Sequence, residues 1–282
     1  MFLSELQKNI TKTLLDGGIK TNSLDARIIL KETFNFDEKE LIMNSDILIS
    51  TSKVNEVKKI LSRRLKGEPV SKIFRKRDFY DSTFLISDDV LDPRPETELI
   101  IDIASKYISE NNYKSFIDLG TGSGCIILSI LKENKNIKGL GLDISLNAIN
   151  IAKKNSSRLE LENHAMFLVS DWFSSVKETY DLIISNPPYI SSGEIGALSK
   201  SVKNYDPLIS LDGGQDGLKC YREIAKDANR IINKDGMVIL EIGCNQAEDV
   251  IKIFEINKFK FLNKVIDING LDRILIFESK KT

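Results

Sequence analysis

Five short apolar segments recur through the C-terminal two-thirds of this 282-residue chain. They centre on Phe116-Ile117, Leu140-Gly141-Leu142, Phe167-Leu168-Val169, Leu182-Ile183-Ile184 and Val238-Ile239-Leu240. Helical stretches near 97–110, 124–134, 145–157 and 216–232 alternate with them. A strand that is apolar on both faces must be covered on both, and this alternation does so with a parallel sheet between two layers of helices. Two more strands, near 259–267 and 272–278, are joined only by Asn269-Gly270-Leu271. Asn-Gly is a tight hairpin turn, so the closing pair is antiparallel. The pattern predicts an α/β, doubly wound, mostly parallel sheet finished by an antiparallel hairpin. That differs from the uniformly parallel sheet of dinucleotide-binding domains.

Residues 1–72 show no strand alternation. One helix runs through Phe2, Leu3, Leu6, Ile10 and Leu14 and ends at Gly17-Gly18. A second starts at Asn22 or Ser23 and carries Ala26, Ile29, Leu30 and Phe34. A third, from about Ser52, places Val54, Val57, Ile60, Leu61 and Leu65 at helical spacing and stops at Gly67-Glu68-Pro69. Asp78-Phe79-Tyr80 and Thr83-Phe84-Leu85-Ile86 then read as a hairpin. The extended segment Pro93-Arg94-Pro95-Glu96-Thr97-Glu98 leads into a helix near Thr97. The expected organisation is a helical bundle at 1–72, a β-hairpin linker at 73–95 and the sheet domain at 96–282.

Ligands of open α/β sheets bind at the C-terminal ends of the strands, and those ends are chemically distinctive here. Asp118-Leu119-Gly120-Thr121-Gly122-Ser123-Gly124 follows the first strand and opens a helix. Its alternate glycines let backbone approach a ligand closely. The spacing is not the Gly-x-Gly-x-x-Gly of dinucleotide sites. Asp143 ends the second strand, where a carboxylate accepts hydrogen bonds from both hydroxyls of a ribose. Asp171-Trp172 ends the third and offers an acceptor for an adenine amino group and a ring to lie against the base. Asn186-Pro187-Pro188-Tyr189 stops the fourth. An amide, carbonyls and a ring at that point suit a planar –NH2 group, although Asn-Pro and Pro-Pro also mark ordinary turns. The set fits a ligand with adenosine and no pyrophosphate, such as S-adenosylmethionine. No Gly-Lys-Ser/Thr sequence points to a nucleotide triphosphatase.

Composition narrows the classes. No apolar run is long enough to span a membrane, and the N-terminus lacks the basic start of a signal peptide. Cys125, Cys220 and Cys244 are far apart and odd in number, which suggests reduced thiols in a cytoplasmic protein. The single histidine, His164, lies in a polar stretch without a nucleophile motif and reads as a surface loop residue. Metal sites built on several histidines are excluded. The formal charge is −1, yet Lys53 to Arg77 holds ten Lys/Arg against Glu56 and Glu68. That stretch is either a solvated helix face or a surface for an acidic protein or nucleic acid.

The order Gly-x-Gly-x-Gly, Asp143, Asp171, Asn186-Pro187-Pro188-Tyr189 resembles S-adenosylmethionine-dependent methyltransferases that modify planar amino or amide nitrogens. Three further features narrow the likeness: the helical N-terminal region, Pro93-Arg94-Pro95-Glu96-Thr97-Glu98, and Leu211-Asp212-Gly213-Gly214-Gln215-Asp216-Gly217-Leu218. Together they resemble the HemK/PrmC type of protein-(glutamine-N5) methyltransferase over nearly the whole chain. The resemblance implies a seven-stranded sheet with an antiparallel last strand and S-adenosylmethionine as methyl donor. It also implies methylation of the Gly-Gly-Gln glutamine in class I peptide-chain release factors, with the helical domain as a second contact surface. The residues implied for the cofactor are Gly120, Thr121, Gly122, Ser123, Gly124, Asp143, Asp171, Trp172 and Asn186.

By the same resemblance, the Asn186 side-chain oxygen and the Pro187 carbonyl accept the hydrogens of the substrate amide, and Pro188 and Tyr189 complete the catalytic loop. Tyr189 packs on the flat face of the amide. Arg94 and Glu96 either position the substrate loop or close over the cofactor, or else form an ion pair anchoring the linker to the sheet. The family has an apolar residue before Pro-Arg-Pro where this chain has Asp92, which bears on how the linker packs. Gly213-Gly214-Gln215 reproduces the substrate motif inside the chain and reads as a coincidence in a loop entering a helix. The alternative activity is methylation of a nucleic-acid amino group, adenine N6 or guanine N2, on a flipped base. The overall charge and the lack of a recognisable nucleic-acid module weigh against it.

Overall fold

Spacing of three and four residues puts Leu3, Leu6, Ile10 and Leu14 on one helical face, and all four are buried in the helix Leu3–Asp16, α1. The computed structural model describes residues 1–281 and divides into two compact units. The first unit is Met1–Arg75 together with Ser199–Tyr205. Here α1, α2 (Asn22–Phe34), α3 (Glu38–Met43), α4 (Thr51–Leu65) and α5 (Val70–Phe74) share one apolar core. Two of these helices escape a reading of periodicity. Six-residue α3 is too short for a repeat, and a capping box between Asp37 and Glu40 starts it. The third predicted helix, α4, stops before Gly67-Glu68-Pro69 as expected, and Pro69 then caps the start of the short α5, since a missing N–H is harmless at a helix start. On α4, Arg64 pairs with Asp25 at 2.6 Å and Arg63 with Glu68 at 2.5 Å.

The second unit is Lys76–Leu198 together with Asp206 to the end of the described residues. It begins with the hairpin β1 (Lys76–Phe79) and β2 (Ser82–Leu85), an antiparallel pair as expected. A 3-10 turn at Pro95–Glu98 leads to α6 (Leu99–Asn111), β3 (Ser115–Leu119), α7 (Cys125–Glu133), β4 (Lys138–Asp143), α8 (Leu146–Arg158), β5 (Ala165–Val169) and β6 (Tyr180–Ser185). The chain passes through α9 (Lys200–Lys203), which groups with the first unit. It finishes with α10 (Lys219–Ile231), β7 (Ile232–Glu241), α11 (Ala247–Ile256), β8 (Phe259–Ile266) and β9 (Asp272–Ser279).

Seven strands form one sheet in the order β5-β4-β3-β6-β7-β9-β8. Only β9 runs against the rest, pairing antiparallel with β7 and β8. Successive strand residues face opposite sides: Phe116 packs with α6 and α7, while Ile117 and Leu119 pack with α10 and α11. The turn before β9 is longer than the tight Asn-Gly turn expected. It spans Asp267–Leu271, and the Asp267 carboxylate accepts the backbone N–H groups of Asn269 and Leu271.

The chain leaves β3 to build β4 and β5 on one side, then crosses to β6 on the other. That reversal opens a crevice at the strand ends. Register sets its contents: Leu119 pairs with Leu142 and Ser185, and Ser185 with Leu240. Gly120, Asp143, Asn186 and Glu241, each one residue further on, therefore share one level at the sheet's C-terminal edge. Among the described residues, no helix is long and apolar enough to cross a membrane.

Candidate active site

A cavity of about 250 Å³ occupies this crevice. Gly120, Gly122, Asp143, Asp171, Trp172, Asn186 and Pro188 all line it. The glycine loop turns on three left-handed residues, Gly120, Gly122 and Gly124, with φ of 69°, 55° and 79°. At Gly120 the space a side chain would occupy is open, so a ligand can approach the backbone there. Thr121 and Ser123 are buried beneath the loop. The Thr121 hydroxyl donates to Asp118 at 2.7 Å, and its N–H to the Leu142 carbonyl at 2.8 Å. Burial pushes the Asp118 carboxyl up to about 7, with the Thr121 hydrogen bond opposing it.

Asp143 does more than end a strand. Its Oδ2 accepts the Gly122 N–H and its Oδ1 the Ser145 N–H, each at 2.9 Å. The carboxylate thus pins the glycine loop and keeps lone pairs for a ligand. Burial raises its pKa, against the pull of those two amides. Trp172 holds φ of 45°, uncommon for a bulky residue, and its indole N–H donates to Glu223 of α10 at 2.7 Å. Asp171 lies exposed at the rim.

The Asn186 side-chain N–H donates to the Thr97 hydroxyl at 3.2 Å, and that hydroxyl donates to Glu241 at 2.6 Å. Pro187 is buried and outside the lining. Tyr189 is half-buried, with its hydroxyl 3.5 Å from the Glu241 carboxylate, a long contact. Burial, assisted by the Glu241 charge, pushes Tyr189 up to about 12. Burial also pushes Glu241 up to about 7, with the Thr97 hydrogen bond and Arg273 opposing and Glu96 reinforcing. Arg94 and Glu96 stand outside the cavity lining. Arg94 pairs with buried Asp206 at 2.5 Å, and buried Asp92 sits 3.6 Å from Arg77 and 3.9 Å from Arg94. The polar residue ahead of Pro93 is thus accommodated by two guanidinium groups.

Several lining residues had no signal of their own in the sequence. Asp89, Val90 and Leu91 form one wall, Pro207, Ile209 and Ser210 another, and Lys219, Cys220 and Glu223 of α10 a third. Glu241, buried outside the lining, had a signal: like Asp143, it is an acidic residue ending an apolar strand. Gly213, in the internal Gly-Gly-Gln, is required by close approach. A Cβ there would lie 2.8 Å from the Pro188 carbonyl oxygen and 2.9 Å from the Tyr189 Cα. The three cysteines are free, with Cys125 and Cys220 buried and Cys244 exposed.

Comparison with known proteins places the chain in a family. Residues 5–74 match the PrmC N-terminal domain and residues 90–202 the Methyltransferase small domain. The release factor glutamine methyltransferase of Agrobacterium fabrum is 37% identical over 270 residues, covering 94% of this chain and 93% of that protein. The release factor glutamine methyltransferase of Caulobacter vibrioides is 35% identical over 264 residues, covering 93% and 91%. The ribosomal protein L11 methylase structure from Lactobacillus delbrueckii shares the fold, with a TM-score of 0.51 at 18% identity over 68% of this chain and 82% of that one. Similarity of this extent across both units establishes that the chain is a methyltransferase of the release factor glutamine methyltransferase family.

Proposed function

We propose that the enzyme transfers a methyl group from S-adenosylmethionine to the side-chain amide nitrogen of the glutamine in the Gly-Gly-Gln motif of class I release factors. The observation that carries this is Asn186 at the cavity edge with its N–H committed to Thr97, leaving the side-chain oxygen to accept from a planar amide. The names of the relatives support the same substrate.

The residues present fit the cofactor. Gly120 and Gly122 leave room against the backbone, Asp143 would offer carboxylate lone pairs to the ribose, and Asp171 and Trp172, which line the same cavity, would hold the base. Thr121, Ser123 and Gly124 shape the loop from beneath. When bound, the sulfonium supplies an electrophilic methyl group. An amide nitrogen is a poor nucleophile because its lone pair is delocalised, so the chain's residues act by orientation. Asn186 Oδ1 and the Pro187 carbonyl accept the two amide hydrogens and hold the nitrogen in line, Pro188 shapes the cavity edge and Tyr189 covers the amide face. Orientation of this kind lowers a barrier by several kcal/mol or more, aided by fixed dipoles matched to the transition state. Arg94 acts through Asp206 by anchoring the segment that carries Thr97, and Glu96 is the residue of that segment offered to the substrate loop.

In this reading residues 1–72 recognise the release factor, 73–95 link, and 96–282 perform the chemistry in a cytoplasmic enzyme. Nucleic-acid methylation is less well supported, since Arg63 and Arg64 of the basic stretch are engaged by Glu68 and Asp25. Incubation with methyl-labelled S-adenosylmethionine and, separately, release factor, DNA and RNA tests the proposal. Label is expected on the Gly-Gly-Gln glutamine alone, and Asn186→Ala is expected to abolish it while cofactor binding persists. Label on DNA or RNA instead overturns the reading.

A further inference from the structure

We propose that Thr97 and Glu241 form a positioning relay that decides which end of the Asn186 amide faces the substrate; the inference rests on the function proposed above. Thr97 comes from the 3-10 turn Pro95–Glu98, Asn186 follows β6, and Glu241 ends the neighbouring β7. Thr97 and Glu241 are 3% and 1% exposed, so water does not compete for their hydrogen bonds.

The logic lies in donor counts. A threonine hydroxyl has one hydrogen, and an ionised carboxylate only accepts. With Glu241 ionised, the Thr97 hydrogen goes to Glu241 Oε2, at 2.6 Å. Thr97 then has only lone pairs left for Asn186, which must present its –NH2, at 3.2 Å. The Asn186 oxygen is thereby turned to accept hydrogens from the incoming amide.

Protonation of Glu241 from solvent reverses the chain. The neutral carboxyl donates to Thr97, the Thr97 hydrogen is released toward Asn186, and the asparagine amide rotates to offer its oxygen to Thr97. Its –NH2 then faces the substrate –NH2, donor against donor. The groups that bias this proton face Glu241 from four sides. Arg273 of β9 opposes protonation and Glu96 favours it. The Tyr189 hydroxyl approaches Oε1, and Arg94 acts on Tyr189. The Tyr221 hydroxyl of α10 donates to the Glu241 main-chain carbonyl at 3.0 Å. Arg273 is itself held by Asp267 at 3.1 Å.

The test uses the full-length protein carrying Thr97→Val, Thr97→Ser or Glu241→Gln, with intact release factor as substrate. Thr97→Val is expected to lower kcat by about tenfold to a hundredfold, the scale of a misplaced reacting group. KM and cofactor affinity should be nearly unchanged, and Thr97→Ser should restore kcat. The wild-type kcat should fall as pH drops through about 7, and Glu241→Gln should lose that acidic limb. The side-chain amide resonances of Asn186, followed by NMR in the substrate-free wild type, should shift over the same range. Unchanged kcat in Thr97→Val, or amide resonances indifferent to pH, overturns the relay. Wild-type protein that leaves the release factor unmethylated overturns the functional reading instead, and the NMR titration still decides the relay.

Discussion

The Arg94 guanidinium meets the Asp206 carboxylate at 2.5 Å, joining two segments 112 residues apart in sequence. Asp206 also accepts the Asp92 backbone N–H at 3.0 Å. Both segments continue into walls of the cavity, through Leu91 on one side and Pro207 on the other. The contact therefore braces the pocket from outside it.

Loss of the cation should be costly because Asp92 and Asp206 are both buried. Arg94→Ala is expected to destabilise by about 2–3 kcal/mol, less than a fully buried pair because Arg94 is partly exposed. That corresponds to a fall in Tm of roughly 5–10 °C. Arg94→Lys should recover only part of it, since an ammonium keeps the charge without the planar fork. Calorimetric scans of the three proteins provide the check. A normal Tm with depressed kcat would show instead that Arg94 acts on the substrate.

Asp143 is expected to couple the glycine loop to the cofactor. Asp143→Ala removes the acceptor for the Gly122 and Ser145 amides as well as for the ligand. Each charge-assisted hydrogen bond lost contributes about 1.5–3 kcal/mol, so S-adenosylmethionine affinity should fall at least about tenfold. Titration calorimetry measures this directly, and an unchanged Kd would remove Asp143 from the site.

A pH signature should follow from Asp118. Its pKa is about 7 in the folded protein against an ordinary 3.8, so the folded state holds the proton more tightly than the unfolded one. The resulting stabilisation is full below about pH 4, is lost as pH rises, and is gone above about 7. Replacing the carboxyl by an amide removes this titration. Between about pH 5 and about pH 7.5, the ligand-free wild type should lose about 2 kcal/mol more than Asp118→Asn. The gap is roughly 5 °C in Tm. Parallel Tm curves for the two proteins would refute the assignment. Glu241 titrates in the same range in both and cancels in the difference.

On α4, Lys58 and Lys59 are exposed, whereas Arg63 and Arg64 are held in ion pairs. Exposed charges at the rim of an interface act chiefly on association and are salt-sensitive. Reversing Lys58 and Lys59 together should raise KM for intact release factor several-fold at low salt. Methylation of a short Gly-Gly-Gln peptide should be nearly unaffected. Arg64→Glu should instead lower Tm, because it places a second carboxylate beside buried Asp25. Equal kinetic losses with both substrates would eliminate α4 as a docking surface.

What the sequence determined by itself was whatever local pattern controls. Apolar strands alternating with helices dictated a covered parallel sheet, and the residues directly after Leu119, Leu142 and Ser185 are the ones that reach the crevice. Gly120, Asp143 and Asn186 were legible because each is punctuation at a strand end. Short elements such as α3 and α5 were not, since five or six residues cannot establish a period. Only the tertiary structure decided the partnerships that position those residues. Thr97 lies 89 residues from Asn186 and 144 from Glu241, and no local rule selects such partners. They meet because strand order puts β7 beside β6 and register brings Leu240 level with Ser185. Burial then makes each hydrogen bond obligatory, since a polar group enclosed without a partner is costly. The same holds for Arg94, whose role as a brace follows from where the fold delivers Asp206.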